Sequence, residues 1–204
     1  MTSGSTRSEL IEATRTAIRD LGLGGATARE ITGRAEANLA SIVYHFGSKD
    51  ALVTEALLTE TRELIAPVLV LLADDRPGPE RAAEAVVVLE DLFERSRNQV
   101  PVYLAALAAA PHSPPVAEGL ADLWVDVRAA LAEDVARQLA ALALPTWVDP
   151  QAMAALILSL VNGVVIASVV DPEGPGHRAV AAQFLSLLLA AGATSRPHEP
   201  EGPT

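Results

Sequence analysis

Three observations predict an all-α protein with an N-terminal three-helix unit and a C-terminal helical bundle. Half of the 204 residues are apolar while aromatics make up 3%, so the core is built mainly from Ala, Leu and Val. That composition favours helix over sheet. Apolar residues recur at helical spacing along most of the chain. Between these stretches lie Pro- and Gly-rich breaks at residues 74–79, 111–115 and 171–176, the usual punctuation of helices. The length suffices for one or two domains with a proper core.

Met1 to Thr6 lack the charged-then-apolar layout of a signal peptide and read as a disordered arm. Ser8 to Leu21 reads as a first helix, with Leu10, Ile11, Thr14, Ala17, Ile18 and Leu21 on one face and Gly22 as its left-handed stop. Thr27 followed by Glu30 is a capping-box signature that opens a second helix, in which Ile31 and Ala35 form a narrow apolar stripe. Glu36-Ala37-Asn38 breaks the run. Asn38 then caps a third helix that turns Ile42 and Phe46 inward and Ser41, Tyr44 and His45 outward. A helix, a short turn and a second helix with an exposed polar and aromatic face is the layout that lays a recognition helix in a DNA major groove. Ser48 caps a longer helix reaching about Leu72, with Leu52, Ala56, Leu57, Leu64 and Val68 apolar and a kink expected at Pro67.

Beyond the 74–79 loop, helices are predicted over about 79–98, 101–110 and 116–142, the last carrying Leu120, Leu123, Trp124, Val127 and Leu131. Asp149-Pro150 opens the next. Gln151 to Val170 carries no charge, and by length and hydropathy could span a membrane. Its flanks, Asp149 and Asp171, offer no basic cluster or aromatic belt, and Asn162 and Gly163 at its centre suit a packed helix, so a membrane role is not expected. A last helix is predicted over 177–191, followed by a disordered Pro- and Gly-rich tail, 192–204. A helix apolar all round must be buried on all sides. The final two helices are expected either to fill the core of a monomer or, set beside those of a second copy, to form an isologous four-helix contact through Leu156, Leu160, Val164, Phe184 and Leu188.

Charge separates the two parts. Residues 1–50 hold six basic and six acidic groups; the other nine basic and twenty acidic groups place the whole net charge of −11 on residues 51–204. That acidic part is unsuited to touching nucleic acid. Lys49 is the only lysine. The absence of cysteine excludes disulfides and thiolate chemistry and fits a cytoplasmic protein. The four histidines fall on separate elements, with no Gly-rich phosphate loop, nucleophile motif or metal-ligand spacing, so neither an enzyme, a metal nor a cofactor is expected.

The stretch AEANLASIVYHFGSKDAL, Ala35 to Leu52, resembles the end of the DNA-binding domain of TetR-family transcriptional regulators. Tyr44-His45-Phe46, Ser48-Lys49 and Leu52 are its most specific part, and the likeness extends back through Thr27 to Ile31 into the first helix. The resemblance implies a DNA-binding domain over 7–50 and a ligand-binding and dimerisation domain over 51–191. It implies that Thr27 and Arg29 reach one groove edge, that Ala40, Ser41, Val43, Tyr44 and His45 line the recognition surface, and that Ser48 and Lys49 meet a phosphate. Three positions depart from the family pattern. Glu36 replaces the usual glycine, at a cost of roughly 1 kcal/mol if the backbone is left-handed there. Val43 replaces a frequent tyrosine, and Ala28 a threonine. The family's effector pocket would draw on Phe93, Tyr103, Leu107, Trp124, Val127 and Asn162, although plain core packing explains Phe93, Leu107 and Val127 as well.

The expected function is therefore a ligand-responsive repressor, binding a palindromic operator as a homodimer and released by a small-molecule effector. The alternative is a helical small-molecule-binding protein without significant DNA binding, which neutral charge over 1–50 and Glu36 favour.

Overall fold

The computed structural model describes residues 3–74, 98–141, 148–174, 179–180 and 183, and among these it contains seven α-helices. They are α1 (Ser3–Gly25), α2 (Ala28–Arg34), α3 (Leu39–Phe46), α4 (Lys49–Leu72), α5 (Val100–Ala109), α6 (Pro114–Ala141) and α7 (Pro150–Val170). No strand occurs among the described residues. Nearly all of the helices expected over 79–98 and 177–191, and the tail 192–204, lie outside the described residues.

Local chemistry sets the helix starts. Thr27 Oγ1 accepts from the Glu30 N–H at 3.3 Å, Asn38 Oδ1 from the Ser41 N–H at 2.9 Å, Ser48 Oγ from the Ala51 N–H at 3.0 Å and Asp149 Oδ1 from the Gln151 N–H at 3.0 Å. Each cap satisfies a donor that the first helical turn leaves free. The box at Thr27 closes on one side only. The Thr27 N–H donates to the Gly25 carbonyl, and the Glu30 carboxylate instead takes Arg34 Nε at 2.7 Å. Helix α1 starts at Ser3 rather than Ser8, running through most of the stretch read as a disordered arm. Adding turns to a nucleated helix gains one hydrogen bond per residue, and Arg7, paired with Glu55 at 2.6 Å, anchors this end. The α1 span breaks at Gly22, whose φ of 71° lies where L side chains rarely go. Leu21, at that break, is 52% exposed rather than inward. Helix α4 continues through Pro67, which has no N–H to return to the Glu63 carbonyl.

Two compact units form: residues 1–71 with 87–127, and residues 72–86 with 128–204. In the first, Leu10 and Ile18 of α1, Ile31 of α2, Ile42 of α3, Leu52 and Leu57 of α4 and Val102 of α5 share one core. In the second, α7 buries only Ala154 and Val165 among its described residues. Leu156, Ile166, Val169 and Val170 are each about half exposed or more. A helix this apolar that keeps so much of its surface in water is an incomplete packing arrangement. By length and composition α7 also passes the test for a membrane span.

Candidate nucleic-acid interface

Helix α3 is eight residues long and fully buries one of them, Ile42. Phe46 packs against the same core, with the Arg7 guanidinium 5.1 Å from its ring centre. The opposite side is open: Tyr44 is 79% exposed, Val43 64% and Leu39 52%. His45 is half-buried, edge-on to Tyr44 at 4.8 Å and to Phe46 at 6.3 Å. Ser41 is half-buried too, and its hydroxyl donates to Asn38 Oδ1 at 3.1 Å. Leu39 was not among the sequence-derived candidates. Its signal was its i, i+4 spacing from Val43, which places both on one face.

The turn between α2 and α3 carries a strained residue. Glu36 has φ 49°, and it is the one non-glycine residue with positive φ among those described. Its N–H donates to the Gly33 carbonyl at 3.4 Å, and the Ala37 N–H to Thr32 at 3.0 Å, so the turn closes in spite of the side chain. Gly47 ends α3 at φ 79°, its N–H on the Val43 carbonyl at 2.9 Å. Here glycine sits where the geometry calls for it; at position 36 it does not. Glu36→Gly is accordingly expected to stabilise the protein by about 1 kcal/mol, read as a higher urea midpoint at unchanged slope. An unchanged midpoint would mean that the turn relaxes around glutamate at no cost.

Most cations of residues 1–50 are engaged in ion pairs, several of them with carboxylates of α4 outside that segment. Arg7 is held by Glu55. Arg34 is held by Asp20 at 2.6 Å and Glu30 at 2.7 Å. Arg15 bonds Glu60 and, at 2.5 Å, Glu63, with Glu12 at 3.3 Å. Arg19 lies 3.7 Å from Glu60 and donates from Nε to the Asn98 carbonyl at 2.5 Å. Two cations are left near α3. Arg29, exposed on the first turn of α2, has no ion-pair partner among the described residues. Lys49, at the start of α4, has Asp50 at 4.0 Å as its one ion-pair partner among the described residues. Thr27, Ala40 and Ser48 are exposed as well. Arg29 and Lys49 are the charges available to an anion, and they flank the apolar and aromatic face of α3 in sequence.

The residues expected to form an effector pocket are only partly brought together. Tyr103 and Trp124 meet: burial pushes the Tyr103 hydroxyl above its ordinary value, and a hydrogen bond with Trp124 pulls it back in part. Leu107 is half-buried against the core of the first unit and Val127 is buried within that unit. Asn162 belongs to the second unit, where its Nδ2 donates to the Leu158 carbonyl of its own helix at 2.9 Å. Leu160 and Val164 are half-buried on α7 and Leu156 is 51% exposed. Phe93, Phe184 and Leu188 lie outside the described residues.

Two family models match the sequence. Residues 10–56 match that of bacterial regulatory proteins of the tetR family, and residues 79–191 that of the BetI-type transcriptional repressor C-terminal domain. The HTH-type transcriptional regulator BetI 2 of Chromohalobacter salexigens is 32% identical over 114 residues, 53% of each chain. The chain spans about half the length of the curated relatives it matches. Among solved structures, a transcriptional regulator of Pseudomonas aeruginosa PAO1 superposes with a TM-score of 0.71 at 24% identity, over 96% of both chains. The multidrug binding protein EbrR, complexed with imidazole, does so at 0.68 and 23% identity, over 89% of this chain and 93% of its own. These structures share the fold.

Proposed function

Because the chain belongs to the TetR family of bacterial regulatory proteins, we propose that it is a ligand-responsive repressor that binds a palindromic operator as a homodimer and leaves it when a small-molecule effector binds. The observation that carries this reading is the outward face of α3, with Leu39, Val43 and Tyr44 each more than half exposed. Arg29 on α2 and Lys49 at the start of α4 adjoin it in sequence, the two cations of residues 1–50 without a strong ion pair among the described residues. Each protomer lays α3 in the major groove, with half-sites about one helical turn, roughly 34 Å, apart. Arg29 and Thr27 meet one groove edge. Ala40, Ser41, Val43, Tyr44 and His45 line the groove surface, with Leu39 added to them. The free N–H groups and dipole at Ser48, with Lys49, take a phosphate.

Selection of bound fragments from a random DNA pool by the purified protein tests this reading. Enrichment of a palindrome, lost with Tyr44→Ala, supports it. Absence of enrichment at both low and moderate salt favours the helical ligand-binding alternative, with the strained, acidic Glu36 as the reason. On the selected site, Lys49→Ala is expected to weaken binding evenly across sequences and to reduce the salt slope by about 1. A loss confined to some sequences would instead make Lys49 a base reader.

The dimer contact is assigned to the exposed side of α7, where Ile166, Val169 and Val170 join Leu156, Leu160 and Val164. The DNA-binding function is assigned to residues 7–50 and effector binding and dimerisation to 51–191, with Tyr103 and Trp124 as the polar part of the effector pocket. The net charge of −11 on residues 51–204 favours a neutral or cationic effector over an anion. EbrR has been solved with the dyes proflavin and ethidium, which makes such aromatic compounds reasonable first probes. Coupling requires the effector to distinguish the two states by about 1–3 kcal/mol. DNA affinity that is unchanged at saturating effector would rule out the switch.

A further inference from the structure

Resting on the reading of α3 as a DNA-reading helix, the chemistry of its outward face narrows what it reads. Guanine is read at two points by Arg or Lys on O6 and N7, and adenine by an Asn or Gln amide on N6 and N7. Helix α3, LASIVYHF, contains none of these four residue types. Asn38 immediately precedes it, but its amide oxygen is already taken by the N–H and the hydroxyl of Ser41. While it caps, Asn38 cannot offer a donor and an acceptor together. The Ser41 hydroxyl hydrogen is committed to the same oxygen. Tyr44 keeps one hydroxyl and His45 is half-buried. The remaining exposed surface is apolar: Leu39, Val43 one turn on, and Ala40 beside them.

The one apolar group that a base pair presents in the major groove is the C5 methyl of thymine. Arg29 and Lys49 suit a polyanion flanking this face, which makes a groove floor a better match for it than another protein surface. We infer that Leu39 and Val43 read the operator half-site through thymine methyl groups. Four residues of helix advance about 6 Å, close to two base-pair steps of about 3.4 Å.

The test uses the full chain and its selected DNA site, resynthesised with deoxyuridine in place of each thymine in turn, with affinity read by fluorescence anisotropy. Two positions in each half-site are expected to lose about fourfold when the methyl is removed, the effect of one buried methyl group. Leu39→Ala should abolish that difference at one position and Val43→Ala at the other; both side chains are exposed, so the fold tolerates the changes. A selected site in which no thymine is sensitive to uridine overturns the inference and leaves the regulator reading intact. Sensitivity that persists fully in both variants overturns it as well, since another side chain then contacts the methyls. If no DNA is selected at all, the functional reading itself fails and this inference falls with it.

Discussion

Glu60→Ala is expected to cost about 3 kcal/mol of folding stability, the lower end of the range for breaking a buried ion pair. The Glu60 side chain is wholly buried on α4, bonded to Arg15 of α1, with Arg19 of the same helix 3.7 Å away. Alanine would leave the mostly buried Arg15 facing a gap, although Glu63 and Glu12 still partner it and hold the loss down. Burial pushes the Glu60 carboxyl above its ordinary value, and the hydrogen bond and charge of Arg15 oppose that shift without cancelling it. Desolvation lowers the Arg15 guanidinium, and its bonds to Glu60 and Glu63 more than compensate. The pH dependence follows from the raised carboxyl. Between the ordinary value of 4.5 and the higher folded-state value, the native protein binds more protons than the unfolded chain. This group therefore makes stability fall as pH rises through that window. Glu60→Gln, which keeps an acceptor for Arg15, should cost less than alanine and flatten this component. Urea midpoints for the three proteins between pH 4 and 7 would show it. Parallel curves for wild type and Glu60→Gln would mean that Glu60 titrates as it does in the unfolded chain.

Ile42→Ala should cost about 2–5 kcal/mol, as deletion of a well-packed branched side chain generally does, and its effect should centre on α3. This helix is seated by one fully buried residue and the half-buried Phe46. An eight-residue helix has little stability of its own in water. Amides of residues 39–46 should lose hydrogen-exchange protection well before those of α4, and DNA affinity should drop with them, because the reading face no longer has a fixed orientation. Ile42→Val, about 0.5–1.5 kcal/mol, should leave binding nearly intact. Protection of α3 equal to wild type in the alanine variant would show that Phe46 and the Asn38 cap suffice to hold it.

The helical fold and the N-terminal caps were legible because their causes are local. Thr27, Asn38, Ser48 and Asp149 each lie within three residues of the N–H they satisfy. The family's usual glycine at position 36 is glutamate here, and the φ of 49° meets the condition under which that replacement was expected to carry strain. What escaped the sequence depends on residues far apart along it. Arg15 and Glu60 are 45 positions apart and Arg19 and Asn98 are 79; no spacing rule joins them. For that reason the neutral balance of residues 1–50 did not show how few of its cations are free, most of them being internal fasteners. Leu39 was missed because an apolar residue at a helix start reads as core until its exposure is known. On the effector side, Leu107 and Val127 illustrate a deeper limit. The same side chains line cores and pockets, so their pattern cannot distinguish the two.

The pairing of Arg7, Arg15, Arg19 and Arg34 with internal carboxylates has a consequence for how such a regulator finds its target. Affinity for random-sequence duplex is essentially electrostatic. A head with two uncommitted cations, attached to a strongly acidic body, holds unrelated DNA poorly. Such a protein spends little time sliding and is not sequestered by the great excess of irrelevant sites in a genome. Under the proposed function it would stay largely in free solution, arrive by three-dimensional diffusion without much electrostatic steering, and depend on slow departure from the correct site rather than on rapid capture. Occupancy of the operator would then follow the copy number of the protein closely, with little buffering by the chromosome.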